Sequence, residues 1–480
     1  MGPQPESQFT AIRNMISFWV FGMCNNFAYS VMLGAAQDIL KRNSESEDVA
    51  SNMTEHCVEK ITFRDCAPAS AGVVLLCNII PCLIVKMTCP FFMHHIPYAV
   101  RHFVICAVQT ASLLVTAWAD SVPTALLGVL LASFSSGFGE TTYLGLASHY
   151  SKNSISTWSS GSGMAGLAGT FSYAALTDVN LMALSPRNAM LVMLVVPLSF
   201  TLSLVQQNNI PRYYSVVLFS HNFRYYCLLV RAPTVPAIKL FSPSTWLDFS
   251  SPYRRDLPEV ESASDVTVNS EPKNNRLEAQ NRPLQEQLIV LKNLLKYMIP
   301  FGTVYFMQYF IKQGLIEMVI FDCSHGFHTT IASQYRWYQV FYHVGVFLAR
   351  SSANVVKLNF FCISLTAVIQ VGGMFWYGTL SIQSLWLCRF QTSLAALFFL
   401  TAIYSFISHF IIVCVLMFVV GVVGGCNYAN TFYHIHRKVD PTDREFALST
   451  VTFADTIGIL TAAIVAIPTH NWICAMPWYS

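Results

Sequence analysis

Charged residues are scarce in this sequence of 480 residues. They make up 11% of the chain, whereas 54% of its residues are hydrophobic, and soluble domains carry about 25% charged residues. The mean hydropathy of +0.47 agrees with this bias. The formal net charge of +3 is too small to favour nucleic acid as a partner. The composition excludes an ordinary soluble domain and predicts a polytopic membrane protein.

Motifs for catalysis and for metal binding are also missing. The fourteen cysteines form no CxxC pair and show no Cys/His zinc spacing. No Ser/His/Asp arrangement stands at a strand–turn–helix elbow. The glycine-rich stretch 158–169 lacks the Gly-Lys-Ser/Thr of a phosphate-binding loop, so we interpret it as a close packing surface or a hinge. The sequence predicts neither an enzyme nor a resident cofactor or metal.

Apolar runs of about 20 residues organise the chain, and each is long enough to cross a bilayer as a helix. The first, at 16–36, is too long for a cleaved secretory signal. The expected fold is all-α, with about eleven transmembrane helices in two halves and an ambiguous number of spans within 358–423. The expected parts are a cytosolic N-terminus at 1–15, a six-helix bundle at 16–207, a partly disordered cytosolic linker at 208–296, a second bundle at 297–470 and a tail at 471–480.

The basic loops predict the orientation of these helices. Lys and Arg are concentrated in the linker 208–296, which places it in the cytosol. The loop 41–68 then falls on the opposite side and is expected to be luminal. It holds the sequon Asn52-Met53-Thr54, so Asn52 is a predicted glycosylation site. Cys57 and Cys66 share this loop and are expected to pair as a disulfide if the lumen is oxidising.

Polar side chains inside the predicted spans are the candidate site, because the bilayer penalises them. In the helix expected at 297–321, Tyr309, Gln313 and Glu317 recur every fourth residue and should share one face, with Lys312 beside it. We expect Glu317 to line a central cavity and to accept a proton. A structural ion pair is the alternative reading of this carboxylate.

The next helix carries His343 and Arg350 near one face. The planar guanidinium of Arg350 could clamp a phosphate or a carboxylate in two parallel hydrogen bonds. It could equally anchor the helix at the cytosolic interface. We interpret His343 taken alone as a buried packing residue.

Three further spans carry isolated polar groups. Asn25, Asn26 and Tyr29 fall near one face of the first helix, where they either bond to neighbouring helices or line a solute cavity. Glu140 is a functional carboxylate or a buried partner for a nearby cation. Asp455 is open to the same two readings.

These motifs, in this order, resemble the battenin family of lysosomal membrane proteins. The residues that carry the resemblance are Cys24-Asn25-Asn26-Phe27, Ser135-Ser136-Gly137-Phe138-Gly139-Glu140, Trp158-Ser159-Ser160-Gly161, Gln313-Gly314-Leu315-Ile316-Glu317, Gln334-Tyr335-Arg336-Trp337-Tyr338-Gln339, Arg350-Ser351-Ser352, Asn430-Thr431-Phe432, Arg444-Glu445-Phe446-Ala447 and Asp455-Thr456-Ile457-Gly458-Ile459. The resemblance runs from about residue 14 to 474. Two stretches, 213–247 and 371–389, look inserted relative to the family pattern.

The resemblance implies a major-facilitator-like fold in a lysosomal or late endosomal membrane. It implies transport of small solutes, with glycerophosphodiesters as the leading class. Regulation of lysosomal pH and transport of basic amino acids are further roles that the family resemblance implies. Glu317, Arg350 and Asp455 match functionally sensitive positions. A scaffold that recruits sorting or regulatory proteins through 208–296 is the alternative. The family's C-terminal prenylation box is missing, because six residues follow Cys474.

Overall fold

The structure is a computed structural model that describes most of both predicted halves. The described residues are 8–41, 57–61, 66, 70–89, 96, 98–147, 150, 152–203, 284–355, 380–439 and 444–477. The residues outside these ranges include Asn52, residues 208–283 of the linker with the whole of the first apparent insertion (213–247), and residues 371–379 of the second. Within the described ranges the regular structure is helical throughout.

The first half contains the helices that precede the linker. Helix α1 begins at Gln8, so its first two turns precede the apolar run 16–36 that predicted it. The helices are α1 (Gln8–Gly34), α2 (Ala36–Lys41), α3 (Ala71–Thr88), α4 (Tyr98–Ala117), α5 (Val122–Ala147), α6 (Lys152–Thr177), α7 (Pro186–Val192) and α8 (Val195–Ser203).

The second half begins inside the range that the sequence assigned to the linker. Helix α9 starts at Leu284, so residues 284–296 are helical. The helices are α9 (Leu284–Phe310), α10 (Ile331–Val355), α11 (Leu380–Tyr404), α12 (Phe410–Lys438) and α13 (Arg444–Cys474). A π-helical turn, Ile311–Leu315, and a 3-10 turn, Ile316–Met318, follow α9.

Six helices of the described part are long and apolar enough to cross a bilayer: Phe9–Gly34, Ala71–Thr88, Val100–Ala117, Val122–Leu144, Phe410–Tyr428 and Val451–Cys474. Helices α6, α9 and α10 are as long but more polar. Many of their polar side chains, among them Gln308, Gln334 and Gln339, are buried against other helices and so avoid lipid.

The two halves meet along two helix pairs, α6 with α10 and α3 with α13. We call the end of the bundle where α1 ends and α3 begins the distal face, and the end where α1 begins the proximal face. Glycine permits the closest approach in the first pair, because a Cβ at Gly166 would overlap the ring of His343. This agrees with the packing role expected for the glycine-rich stretch of α6.

Candidate functional site: a charged interior between the two halves

Arg350 of α10 lies at the junction of the two halves and is surrounded by neutral groups. Its guanidinium donates to the hydroxyl of Tyr305 at 3.2 Å and to Ser162 Oγ at 3.5 Å. Its Cζ lies 4.1 Å from the centroid of the Tyr428 ring. Its Nε is buried and has no hydrogen-bond partner among the described residues. In the described part of the chain no carboxylate lies within 4.0 Å of this cation, so its charge is available to an anionic ligand.

Lys312 is a second buried cation, with no exposed surface. Its Nζ lies 3.3 Å from His343 Nε2 and 4.6 Å from the centroid of the Tyr342 ring. His343 Nδ1 lies 2.8 Å from the carbonyl oxygen of Gln339, an arrangement that assigns the ring proton to Nδ1 and leaves Nε2 as the acceptor for Lys312. His343 therefore positions the lysine rather than serving only as packing.

A second group of charged residues, one lysine and two carboxylates, lies on α3, α5 and α13. Lys86 of α3 and Glu140 of α5 form an ion pair at 2.9 Å. Asp455 of α13 interacts electrostatically with both of them, and its Oδ1 accepts from Thr456 Oγ1 at 3.1 Å. Glu140 therefore has a nearby cation as its partner, which is one of the two readings left open for it.

Three tyrosines, Tyr305, Tyr309 and Tyr428, lie close enough to interact electrostatically with both Arg350 and Asp455. The rings of Tyr305 and Tyr309 stack with their centroids 6.2 Å apart. We call Tyr305, Tyr309 and Tyr428 the tyrosine cluster, which borders both an arginine and an aspartate.

The polar residues of α1 make two kinds of contact, one with α5 and one with the tyrosine cluster. Asn25 Nδ2 donates to the carbonyl oxygen of Ser136 at 3.0 Å, and Ser136 Oγ donates to Asn26 Oδ1 at 2.9 Å. These bonds tie α1 to α5, which is the helix–helix reading of Asn25 and Asn26. Tyr29 instead interacts with Tyr309 and Asp455 at the edge of the tyrosine cluster.

Glu317 lies apart from the tyrosine cluster, and the prediction that it shares one helical face with Tyr309 and Gln313 is wrong. The α-helix ends at Phe310, and the π and 3-10 turns that follow change the rotation per residue, so Tyr309, Gln313 and Glu317 do not continue one stripe. The carboxylate of Glu317 accepts from Ser70 Oγ at 2.8 Å and from the Ala71 backbone N–H at 2.7 Å. It occupies the N-terminus of α3, where unpaired N–H groups favour an anion.

Gln313 is buried in the same region. Its Oε1 accepts from the hydroxyl of Tyr335 at 3.0 Å, and that hydroxyl also lies 3.4 Å from the carbonyl oxygen of Leu33. Glu317 therefore contacts the first half near the distal face, Gln313 is linked to it through Tyr335, and Lys312 lies beside His343.

Two carboxylates at the distal face were not predicted as site residues. Asp38 of α2 accepts from Arg336 of α10 through two bonds of 2.7 and 3.0 Å. Asp178, just after α6, accepts from Ser333 Oγ and from Trp337 Nε1, the latter at 2.8 Å. With the Glu317 contacts these bonds join the halves, and we call the three carboxylates and their partners the distal latch.

Local hydrogen bonds lower the pKa of two carboxylates outside the spans, Asp178 and Asp322. Burial opposes ionisation of Asp178, but the hydrogen bonds from Ser333 and Trp337 outweigh it and hold its pKa below the usual value. For Asp322, slight burial is outweighed by hydrogen bonds from the backbone and ring of His325, which lower its pKa to about 2.

The predicted Cys57–Cys66 disulfide is wrong. Cys57 pairs with Cys323 and Cys66 pairs with Cys474. The two bridges join positions 266 and 408 residues apart in the sequence, because folding brings the loop before α3 against the second half. Both bridges connect the halves at the distal face, and proximity within one loop gave no indication of this.

The fold and its charged interior define a multi-pass membrane protein of the major-facilitator-like class. It resembles the crystal structure of a bacterial homolog to the human lysosomal transporter Spinster, in an inward-facing and unoccupied conformation, with a TM-score of 0.50 and 13% identity over 95% of this chain and 82% of that one. This likeness confirms the expected all-α fold class.

The chain belongs to the CLN3 protein family, whose profile matches residues 16–476. It is 33% identical to battenin of Canis lupus familiaris, over 96% of this chain and 91% of that protein. It is 28% identical to Protein btn-1 of Neurospora crassa, over 98% and 89% of the two chains. The resemblance inferred from the sequence motifs is confirmed.

Proposed function

We propose that this protein moves small anionic solutes across a lysosomal or late endosomal membrane, and that glycerophosphodiesters are its substrates. The observation that carries the proposal is a pair of cations, the fully buried Lys312 and the partly buried Arg350, neither of which has a carboxylate partner among the described residues. A buried unpaired cation is costly, and a bound phosphodiester would offset that cost.

The contacts of Arg350 suit an anion of this shape. Two of its nitrogens bond to hydroxyl groups that can reorient, and the third is unpartnered. A planar guanidinium can meet two oxygens of one phosphodiester at once, which a lysine ammonium cannot do. Lys312 adds a second positive charge, positioned by His343.

The positions of the halves support transport by alternating access. In the proposed orientation the N-terminus and linker 208–296 are cytosolic and the distal face is luminal, where Asn52 would be glycosylated. The distal latch then closes the luminal side, and its ion pair and hydrogen bonds must break before that side opens. The proposal includes coupling of transport to protons. The candidate proton acceptor is Asp455 and not Glu317, because Glu317 lies at the start of α3.

The alternatives receive less support. Arg350 and Lys312 would repel the cationic side chain of a basic amino acid bound beside them, which disfavours that substrate class at this position. A scaffold that acts through 208–296 would need no charged interior at all. Sorting or regulatory proteins at that linker are compatible with transport and stay a separate prediction.

The test is uptake of labelled glycerophosphodiester by purified protein in liposomes. We expect saturable uptake that unlabelled glycerophosphodiesters inhibit and that lysine and arginine do not. Protein-free liposomes and liposomes with heat-denatured protein are the controls. Uptake of basic amino acids without uptake of any phosphodiester would overturn the proposal.

A further inference from the structure

A histidine lies beside the disulfide that joins Cys57 to Cys323 at the distal face. His328 Nδ1 lies 4.0 Å from Cys57 Sγ, and the two sulfurs and the ring of His328 place three ligand atoms within 4.8 Å of one another. Both cysteines are partly buried and His328 is exposed, so ions and small molecules in water can reach the group. Two sulfurs and one imidazole form a donor set that suits Zn²⁺. We call Cys57, Cys323 and His328 the distal trio.

The loop that follows the 3-10 turn returns His328 to the disulfide. The backbone N–H of His328 donates to the carbonyl oxygen of Cys323 at 3.0 Å. Phe327 and His328 have φ angles of 53° and 55°, in the left-handed region that residues with a side chain rarely adopt. Backbone conformations of this kind are concentrated at binding sites. The loop therefore places the imidazole beside the sulfurs by an uncommon local geometry.

The two cysteines are held side by side by more than their shared bond. The Cys323 backbone N–H donates to the carbonyl oxygen of Val58 at 2.9 Å, which joins the loop of the first half to the second half. The distal latch adds hydrogen bonds across the same face, such as that from Trp337 Nε1 to Asp178 at 2.8 Å. Opening of the sulfur–sulfur bond therefore leaves the distal trio assembled.

The geometry of the distal trio suits a tetrahedral metal ion. Zn–S and Zn–N bonds of about 2.3 and 2.0 Å place sulfur and nitrogen about 3.5 Å apart on one ion, and Cys57 Sγ and His328 Nδ1 are 4.0 Å apart. A cavity of about 320 Å³ is lined by Cys57 and His328 together with Asp178. Zn²⁺ with three protein ligands takes water as the fourth, and the cavity has room for that water.

We propose that the distal trio binds one Zn²⁺ ion once the Cys57–Cys323 disulfide is reduced. Two molecules of a small thiol supply the two electrons. The sulfur–sulfur bond breaks, the small thiols form a disulfide with each other, and Cys57 and Cys323 each receive one of their protons. Zn²⁺ then binds both sulfurs as thiolates, releases those two protons to water and accepts the Nδ1 lone pair of neutral His328.

The bound ion would join the two halves as the disulfide does. Cys57 precedes α3 of the first half, whereas Cys323 and His328 belong to the second half. The site lies outside the charged interior at Arg350, so the inference does not depend on the proposed transport function.

The second disulfide provides a matched comparison within the same chain. His470 Nε2 lies 3.6 Å from Cys474 Sγ, and Cys66 completes a similar group. His470 is only 3% exposed and lies in the apolar helix Val451–Cys474, so its ring is shielded from ions in water. We therefore assign the metal site to the distal trio and not to this group.

The experiment measures Zn²⁺ binding by the full-length protein in detergent at neutral pH, with a chromophoric chelator as competitor. The protein is used oxidised and also after reduction with dithiothreitol, which is then removed under argon. We expect the reduced protein to bind one Zn²⁺ per chain more than the oxidised protein. Zn²⁺ should also slow alkylation of Cys57 and Cys323, which peptide mapping detects.

The variant His328→Gln removes one ligand from an exposed position. Loss of an outer-shell partner alone weakens metal binding about 10–100-fold, so loss of this ligand should weaken Zn²⁺ binding by at least about tenfold. His409→Gln, at an exposed histidine just before α12, and His470→Gln are the controls and should bind Zn²⁺ as wild type does.

The wild-type protein alone can overturn the proposal, so a variant that fails to fold does not weaken the test. Equal Zn²⁺ binding by the oxidised and reduced forms would contradict the site. Protection from alkylation at Cys66 and Cys474 without protection at Cys57 and Cys323 would also contradict it. Wild-type affinity for Zn²⁺ in reduced His328→Gln would remove the histidine from the site and overturn the assignment.

Discussion

Arg336 of the second half holds Asp38 of the first half by two hydrogen bonds, at 2.7 and 3.0 Å, and donates a third to the carbonyl oxygen of Thr177. Both side chains are largely buried, at 10% and 14% exposure. Removal of one partner from a buried ion pair costs about 3–5 kcal/mol, because the other charge stays desolvated. This ion pair therefore holds the two halves together at the distal face.

Asp38→Asn should therefore weaken the closed distal face. We expect a lower midpoint of thermal unfolding in detergent and faster labelling of a cysteine introduced near the distal face. The exposed Asp120→Asn, which lies between α4 and α5 and has no role in the latch, should behave as wild type. Equal unfolding midpoints for Asp38→Asn and wild type would show that the pair does not hold the halves together.

The contribution of Asp178 to folding stability should be lost only at acidic pH. Its folded pKa lies below the usual value, so the stability it supplies is fully present above the unfolded pKa of about 3.9. That stability is lost as pH falls through the folded pKa. The difference in unfolding midpoint between wild type and Asp178→Asn should stay constant from neutral pH to about pH 5 and shrink only below pH 4. A difference that vanishes between pH 7 and 5 would contradict the assigned hydrogen bonds.

Glu317→Gln should affect stability more than pH response. The variant keeps the shape but replaces two charge-assisted hydrogen bonds at the start of α3, each worth about 1.5–3 kcal/mol. We expect a lower unfolding midpoint and a retained pH dependence of uptake, with the exposed Glu59→Gln as control. Loss of the pH response in a stable Glu317→Gln protein would restore the coupling role first expected for this residue.

The disulfides should be visible by peptide mapping without reduction. We expect linked peptides that contain Cys57 with Cys323 and Cys66 with Cys474. Loss of a native disulfide costs on the order of 2–5 kcal/mol in small domains, so Cys323→Ser and Cys474→Ser should each lower the unfolding midpoint. A peptide that links Cys57 to Cys66 would contradict the arrangement.

The sequence predicted the helical fold and part of the interior for a clear physical reason. A charge within an apolar span is costly wherever the helix lies, so Arg350, Lys312 and Asp455 could be selected without a structure. Asp38 and Asp178 could not, because they lie at helix ends, where a charge carries no such penalty. The position of Glu317 depends on the π turn at Ile311–Leu315, which hydrophobic periodicity does not reveal.

Clamping of the phosphodiester by Arg350 can be tested by measuring uptake in liposomes with Arg350→Lys. This variant keeps the positive charge but loses the planar fork, so we expect KM for glycerophosphodiester to rise by about tenfold or more while the unfolding midpoint stays near that of wild type. The matched control is Arg389→Lys, an exposed arginine of α11, which should leave KM unchanged. Wild-type KM in Arg350→Lys would contradict the account and return Arg350 to the role of an interfacial anchor.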